Sequence, residues 1–304
     1  MLRLTGAGLT ATTTRGLRPD ASDSGVSSPD AAASWMLDKR TDRPFEPLIR
    51  TIEGEIIPRL LLAHKGVGTP STDHAHAGLL PTAEHVIEFT SLVLSHDAAA
   101  ACGYMEAMLD QGYLIETLYL DLLAPAARHL GVQWEQDLCD FVEVTMALGR
   151  LQHVIREFSA VFRDSDIDRD RDPQACRRVL LTPAPGEQHS LGLMMVKEFF
   201  IRSGWDVQGG PGMVHQEVCP LVSAEWFDSV GVSVGIDGHL DGLATWLLNI
   251  RSASRNPELV ILVGGPKFAE NPELAAAVGA DGTAIDARGA VEQAGIKVSQ
   301  RQRR

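Results

Sequence analysis

Val179-Leu180-Leu181, then Glu187-Gln188-His189-Ser190-Leu191-Gly192, then the apolar run from Leu193 to Phe200 form the stretch that decides the fold. A short apolar β-like run, a loop broken by Pro183 and Pro185, and a helix-like run make the opening of an α/β unit. A histidine in the loop after the first strand points at whatever lies over the sheet edge. His189 can ligate a metal there, and Glu187, two residues earlier, could fix its tautomer from behind.

Downstream the same alternation continues. β-like runs at 178–182, 205–208, 229–234, 259–263 and 282–285 alternate with helix-like runs at 190–203, 214–225, 238–252, 271–278 and 287–294. That order predicts a parallel, Rossmann-like sheet with helices on both faces. Ligands of such sheets bind outside the carboxyl ends of the strands. Three strand ends carry unusual loops there: Glu187 to Gly192, Ser233-Val234-Gly235, and Gly264-Gly265. The small residues leave room for something bulky to descend against the sheet. A dinucleotide is disfavoured because the first turn holds Pro183, Pro185 and a histidine in place of G-x-G-x-x-G, and the Lys and Ser/Thr of a phosphate loop are also missing.

Upstream the pattern is helical, with segments near 46–65, 82–94, 97–111, 113–130 and 137–162. In the last, Phe141, Val144, Leu148, Leu151, Ile155, Phe158 and Phe162 recur at spacings of three and four, a stripe that a helical bundle would bury. Asp164 to Pro173 alternates charges without an apolar face and reads as a linker. The expected organisation is a disordered tail at 1–45, a helical bundle cap at 46–163, a linker at 164–175 and an α/β domain at 176–304.

Composition narrows the partners. A formal charge of −13 over 304 residues argues against unaided nucleic-acid binding, so no direct nucleic-acid contact is expected. No run of eighteen apolar residues and no apolar leader occurs, which reads as a soluble, cytoplasmic protein with no membrane partner. Cys102, Cys139, Cys176 and Cys219 lack C-x-x-C spacing and read as inert thiols. His74 and His76 lie in a long loop and read as solvated; His153 reads as exposed, and His215 as an exposed helix-start residue or an alternative ligand. No acid/base pair or nucleophile constellation stands out as catalytic, so an enzyme is not expected.

Glu187-x-His189-x-x-Gly192, then 40 residues, Ser233-x-Gly235, then 28 residues, Gly264-Gly265 together resemble the fingerprint of cobalamin-binding Rossmann domains, D-x-H-x-x-G, S-x-L and G-G, in order and spacing. The resemblance implies that His189 is the lower axial ligand to cobalt and that Glu187 hydrogen-bonds it. It also implies that Gln188, Ser190 and Gly192 complete the loop, and that Ser233, Gly235, Gly264 and Gly265 flank the nucleotide tail. Two positions depart: Glu replaces Asp at 187, and Gly replaces Leu at 235, which reads as looser packing against the tail. Leu130 to Glu135, with Trp134, looks like the helical cap that precedes this domain in methionine synthase and in light-sensing cobalamin repressors, where a Trp covers the corrin. The Glu-His of that cap falls on Val144 and Thr145 here, so the usual upper-face histidine is replaced.

The combination is similar to the PpaA/AerR family of photosynthesis-gene regulators. That resemblance implies a cobalamin-binding, light-responsive antirepressor acting through a PpsR/CrtJ-type transcriptional repressor, with haem as the alternative cofactor. A corrinoid carrier of a methyltransferase is the alternative function.

Overall fold

The computed structural model describes residues 79–95, 97–165, 177–235 and 242–303. The expected tail, the 46–65 helix, the loop with His74 and His76, and most of the linker lie outside the described residues. The described residues belong to one compact unit, His76–Arg304.

Four parallel pairings join five strands, β1 (Arg178–Pro183), β2 (Asp206–Gly209), β3 (Ser229–Ser233), β4 (Val260–Gly264) and β5 (Gly282–Ala284), in the order β2-β1-β3-β4-β5. Strands β1 and β4 read as near-continuous apolar runs because the central strands are covered on both faces. In this order the chain reverses direction across the sheet between β1 and β3, and such a switch point opens a crevice at the strands' carboxyl ends. The register brings Pro183 beside Ser233 and Ser233 beside Gly264 at that edge.

The helical part is α1 (Ala83–Ser95), α2 (Ala98–Asp110), α3 (Ile115–Leu118), a π-helical turn (Tyr119–Leu123), α4 (Ala124–Glu135) and α5 (Phe141–Asp164). The expected single helix at 113–130 is thus interrupted. Pro125 in the first turn of α4 has no N–H to return to the preceding turn, so the ladder widens just ahead of it. The sheet domain supplies α6 (Leu191–Arg202), α7 (His215–Ala224), α8 (Leu243–Ala253), α9 (Pro266–Glu270), α10 (Leu274–Ala277) and α11 (Ala287–Gln302). This last helix runs past the end expected at 294, with Gly295 lying close under the Arg177 guanidinium.

One sheet face packs on α7 and α8 through Val218, Val222, Leu247 and Ile250, the other on α6 and α11 through Leu193, Phe200 and Val298. The opposite side of α6 then joins the core of the helical part, where Leu191, Met195 and Phe199 sit with Leu151, Phe158 and Phe162. Helix α6 is therefore shared by two cores, and the cap is a third layer on the sheet domain.

Candidate functional site

The loop after β1 is built by backbone hydrogen bonds and one buried acid. Ala184 N–H donates to Ser233 O at 2.8 Å, and Glu187 N–H to Ala184 O at 3.0 Å across the left-handed Gly186. The Glu187 side chain is fully buried, whereas the His189 side chain is 66% exposed. Oε1 of Glu187 accepts the N–H groups of Gln188 and His189 at 2.8 and 2.7 Å and faces His189 Nδ1 at 2.6 Å; Oε2 accepts Gly235 N–H. A carboxylate that is acceptor-only assigns the ring proton to Nδ1. The bare Nε2 then keeps its lone pair, as a carboxylate–histidine–metal arrangement would require.

The fingerprint glycines divide into two kinds. A Cβ on Gly265, which is left-handed at φ 132°, would lie 1.8 Å from Val234 O, so that glycine answers to the fold itself. Gly235 also has no room, because a Cβ there would lie 2.7 Å from His189 Nδ1 and 2.8 Å from Glu187 Oε2. For this position the reading of looser packing is replaced by a local one: the space belongs to Glu187 and His189. Gly192 and Gly264 are different, since among the described residues a Cβ on either would meet nothing within 4 Å. Gly264 lies beside Ser233 of the neighbouring strand at the crevice, whereas Gly192 is exposed in the first turn of α6. One aimed imidazole is too small a donor set for a metal held by the protein alone, and among the described residues no group of three or more His, Cys, Asp or Glu stands together. A single aimed imidazole near a crevice edged by Ser233 and Gly264 fits a metal that would arrive in its own macrocycle with a tail to bury.

Helix α5 reaches over this site. Gln152 Nε2 donates to Ser190 Oγ at 2.9 Å, while further along Ser159 Oγ and Arg163 Nε donate to Glu198 Oε2, each at 2.8 Å. Contacts advance along α5 and α6 in the same direction, so residues 141–151, about 16 Å of helix, extend past the start of α6. That overhang exposes large apolar side chains: Phe141 at 67%, Leu138 at 60% and Trp134 at 44%. Trp134 meets Phe141 edge-on at 6.2 Å. Val144 packs toward the cap core and Thr145 is exposed. Cys139 is buried in the same bend, and burial pushes its thiol pKa up, with Glu143 and Asp140 adding to the shift, which keeps it protonated at neutral pH.

Of the other candidates, Gln188 is exposed and Ser190 half-buried at the start of α6. His215 opens α7 after β2, and His153 is exposed. Gln152 was missed from the sequence; its one signal is a polar residue at the point where the α5 stripe passes from exposed to buried.

Residues 177–294 match the B12 binding domain. The cofactor is therefore cobalamin, and the match is to a binding domain, not to a catalytic one. The matched span contains all three glycine-containing loops at the strand ends. A curated relative, the uncharacterized 20.5 kDa protein of the bchF-crtJ intergenic region of Rhodobacter capsulatus, is 27% identical over 172 residues, 55% of this chain and 84% of that protein. Among solved structures, the monomethylamine corrinoid protein of Methanosarcina barkeri is similar in fold, with a TM-score of 0.57 at 13% identity over 69% of this chain and 97% of that one. A cobalamin-binding protein of Desulfitobacterium hafniense DCB-2 aligns over 70% of this chain and 98% of that one at 15% identity, with a TM-score of 0.37 that carries no argument. Among the described residues no helix is long and apolar enough to cross a membrane.

Proposed function

We propose that this protein is a light-responsive cobalamin-binding regulator of transcription, an antirepressor that acts by binding a PpsR/CrtJ-type repressor. The observation that carries the regulatory part is the relative from the bchF-crtJ intergenic region; the resemblance of the fingerprint and cap to the PpaA/AerR family points the same way. Cobalamin supplies a cobalt centre whose axial bonds light can break or exchange. In this reading His189 Nε2 would ligate cobalt, with Glu187 holding its tautomer, and the crevice at Ser233 and Gly264 would take the nucleotide tail. Trp134 and Phe141 shield the upper side from water. A switch of this kind needs contacts that differ between its two states, and the overhang of α5 is the element placed to make them.

Absorption spectra of the purified protein with cobalamin, in darkness and after illumination, test the cofactor part. His189→Ala is expected to lose the histidine-ligated spectrum; an unchanged spectrum would remove His189 from the ligand set. Capture of a PpsR-type repressor in light against darkness tests the regulatory part. Equal absence of binding in both would favour a corrinoid carrier instead, and a spectrum formed with haem but not with cobalamin would overturn the cofactor assignment.

A further inference from the structure

We propose that Glu187 and Gly235 are an interlocked positioning pair for His189, each having its size because of the other. The inference rests on His189 being the cobalt ligand. Gly235 follows β3, while Glu187 follows β1, so the pair ties the ligand loop across the switch point of the sheet.

The steric part comes first. The backbone at Gly235 is not left-handed, so its conformation does not call for glycine. Its space does. A Cβ at 235 would stand 2.7 Å from His189 Nδ1, 2.8 Å from Glu187 Oε2 and 3.1 Å from Glu187 Cδ. None of these is the loose end of a flexible chain, because the carboxylate is held by the N–H groups of Gln188, His189 and Gly235 and by the ring itself. An added methyl therefore displaces either the carboxylate or the imidazole, and both set the direction of Nε2.

The reach of the acid is the second part. Glu187 spans from the His189 ring to the Gly235 amide, one oxygen to each. An aspartate is shorter by one C–C bond, about 1.5 Å, and cannot keep both contacts from the same backbone position. A long acid thus requires an empty position 235, and an empty position 235 is filled by a long acid. The two residues are 48 apart in sequence. Their relation lies in the fold.

The experiment compares Gly235→Ala, Glu187→Asp and the double variant with the parent protein, using hydroxocobalamin as the probe. Gly235→Ala is expected to bind at least tenfold more weakly and to lose the histidine-ligated absorption spectrum. Glu187→Asp is expected to lose two- to fivefold. The double variant is expected to bind more tightly than Gly235→Ala and to recover part of the spectrum, because the shortened acid vacates the space the methyl needs. Gly235→Ala within twofold of the parent, or a double variant no better than Gly235→Ala, overturns the pairing. The cofactor-free protein supplies an independent arm: imidazole nitrogen NMR should show a protonated Nδ1 on His189 in the parent and its loss in Gly235→Ala. If the parent itself takes up no hydroxocobalamin, the proposed function fails and the NMR arm alone decides the pairing. Thermal unfolding of each cofactor-free variant separates lost folding from lost aim.

Discussion

The two ends of α5 lie on one continuous helix and are held in opposite ways. From Leu151 to Asp164 the helix is locked: Leu151, Val154, Ile155, Phe158 and Phe162 are buried, and Tyr119 stacks on Phe162 at 4.4 Å while donating to Ile155 O. Arg163 and Ser159 hold Glu198 of α6, whose side chain is 8% exposed. From Phe141 to Arg150 the helix is started by a capping box between Asp140 and Glu143 and is only half covered: Val144, Ala147 and Leu148 pack on the cap core and Arg150 donates to Val93 O and Leu94 O, while Phe141, Val142 and Met146 face outward. The same apolar periodicity therefore marks a core at one end and a waiting surface at the other. Burial by the chain satisfies the first. Under the proposed function, bound cobalamin would cover the second.

The strongest way to break this comparison is at the locked end. Arg163→Ala leaves the Glu198 carboxylate buried with only the Ser159 hydroxyl beside it, and losing one partner of such a pair costs about 3 kcal/mol. For a unit of this size that is roughly a 6–12 °C fall in melting temperature. The cobalamin spectrum is expected to survive in whatever fraction stays folded. A melting temperature unchanged in Arg163→Ala would show that the aromatic packing holds α5 without the ion pair.

At the overhang the expected effects are reversed. Phe141→Ala removes a side chain that is 67% exposed and should change the cofactor-free protein by no more than about 0.5 kcal/mol, and Trp134→Ala, 44% exposed and edge-on to Phe141, by about 1 kcal/mol. Cobalamin binding should weaken about tenfold, or roughly 1.4 kcal/mol. Titration and thermal melts on the same samples separate the two quantities. A large loss of stability without a change in affinity would make these residues ordinary core and erase the difference between the two ends.

This difference also marks the boundary of what the sequence could tell. The β-like runs fall within a residue or two of the observed strands, because strands buried on both faces leave continuous apolar runs that need no partner to be recognised. The ligand loop was legible for a similar reason: Glu187 and His189 act on each other over two residues. Gly235 was not, since its reason is a carboxylate arriving from another strand. Glu198 was equally silent, a single acid within an apolar helix whose partner lies on α5. The stripe from Phe141 to Phe162 gave the face of α5 correctly and could not say what covers it, because periodicity encodes orientation and not occupancy.

Gln152 stands where the two ends meet, and the smallest effect is expected there. Its amide donates to Ser190 at 2.9 Å, and Ser190 is the residue after the ligand and the first before α6. Gln152→Ala removes one neutral, part-buried hydrogen bond, worth about 0.5–1.5 kcal/mol, and the lower part of that range applies because the Ser190 hydroxyl can turn to water. The melting temperature and the dark spectrum should therefore stay close to those of the parent. What should shrink is the difference between light and dark in repressor capture, because this bond directly joins the ligand loop to the helix that overhangs it. If that difference stays whole in Gln152→Ala, movement of the overhang is driven through the packed face of α6, where Leu191 and Met195 join the cap core. Replacing Met195 with a smaller side chain would then be the variant that uncouples the two ends.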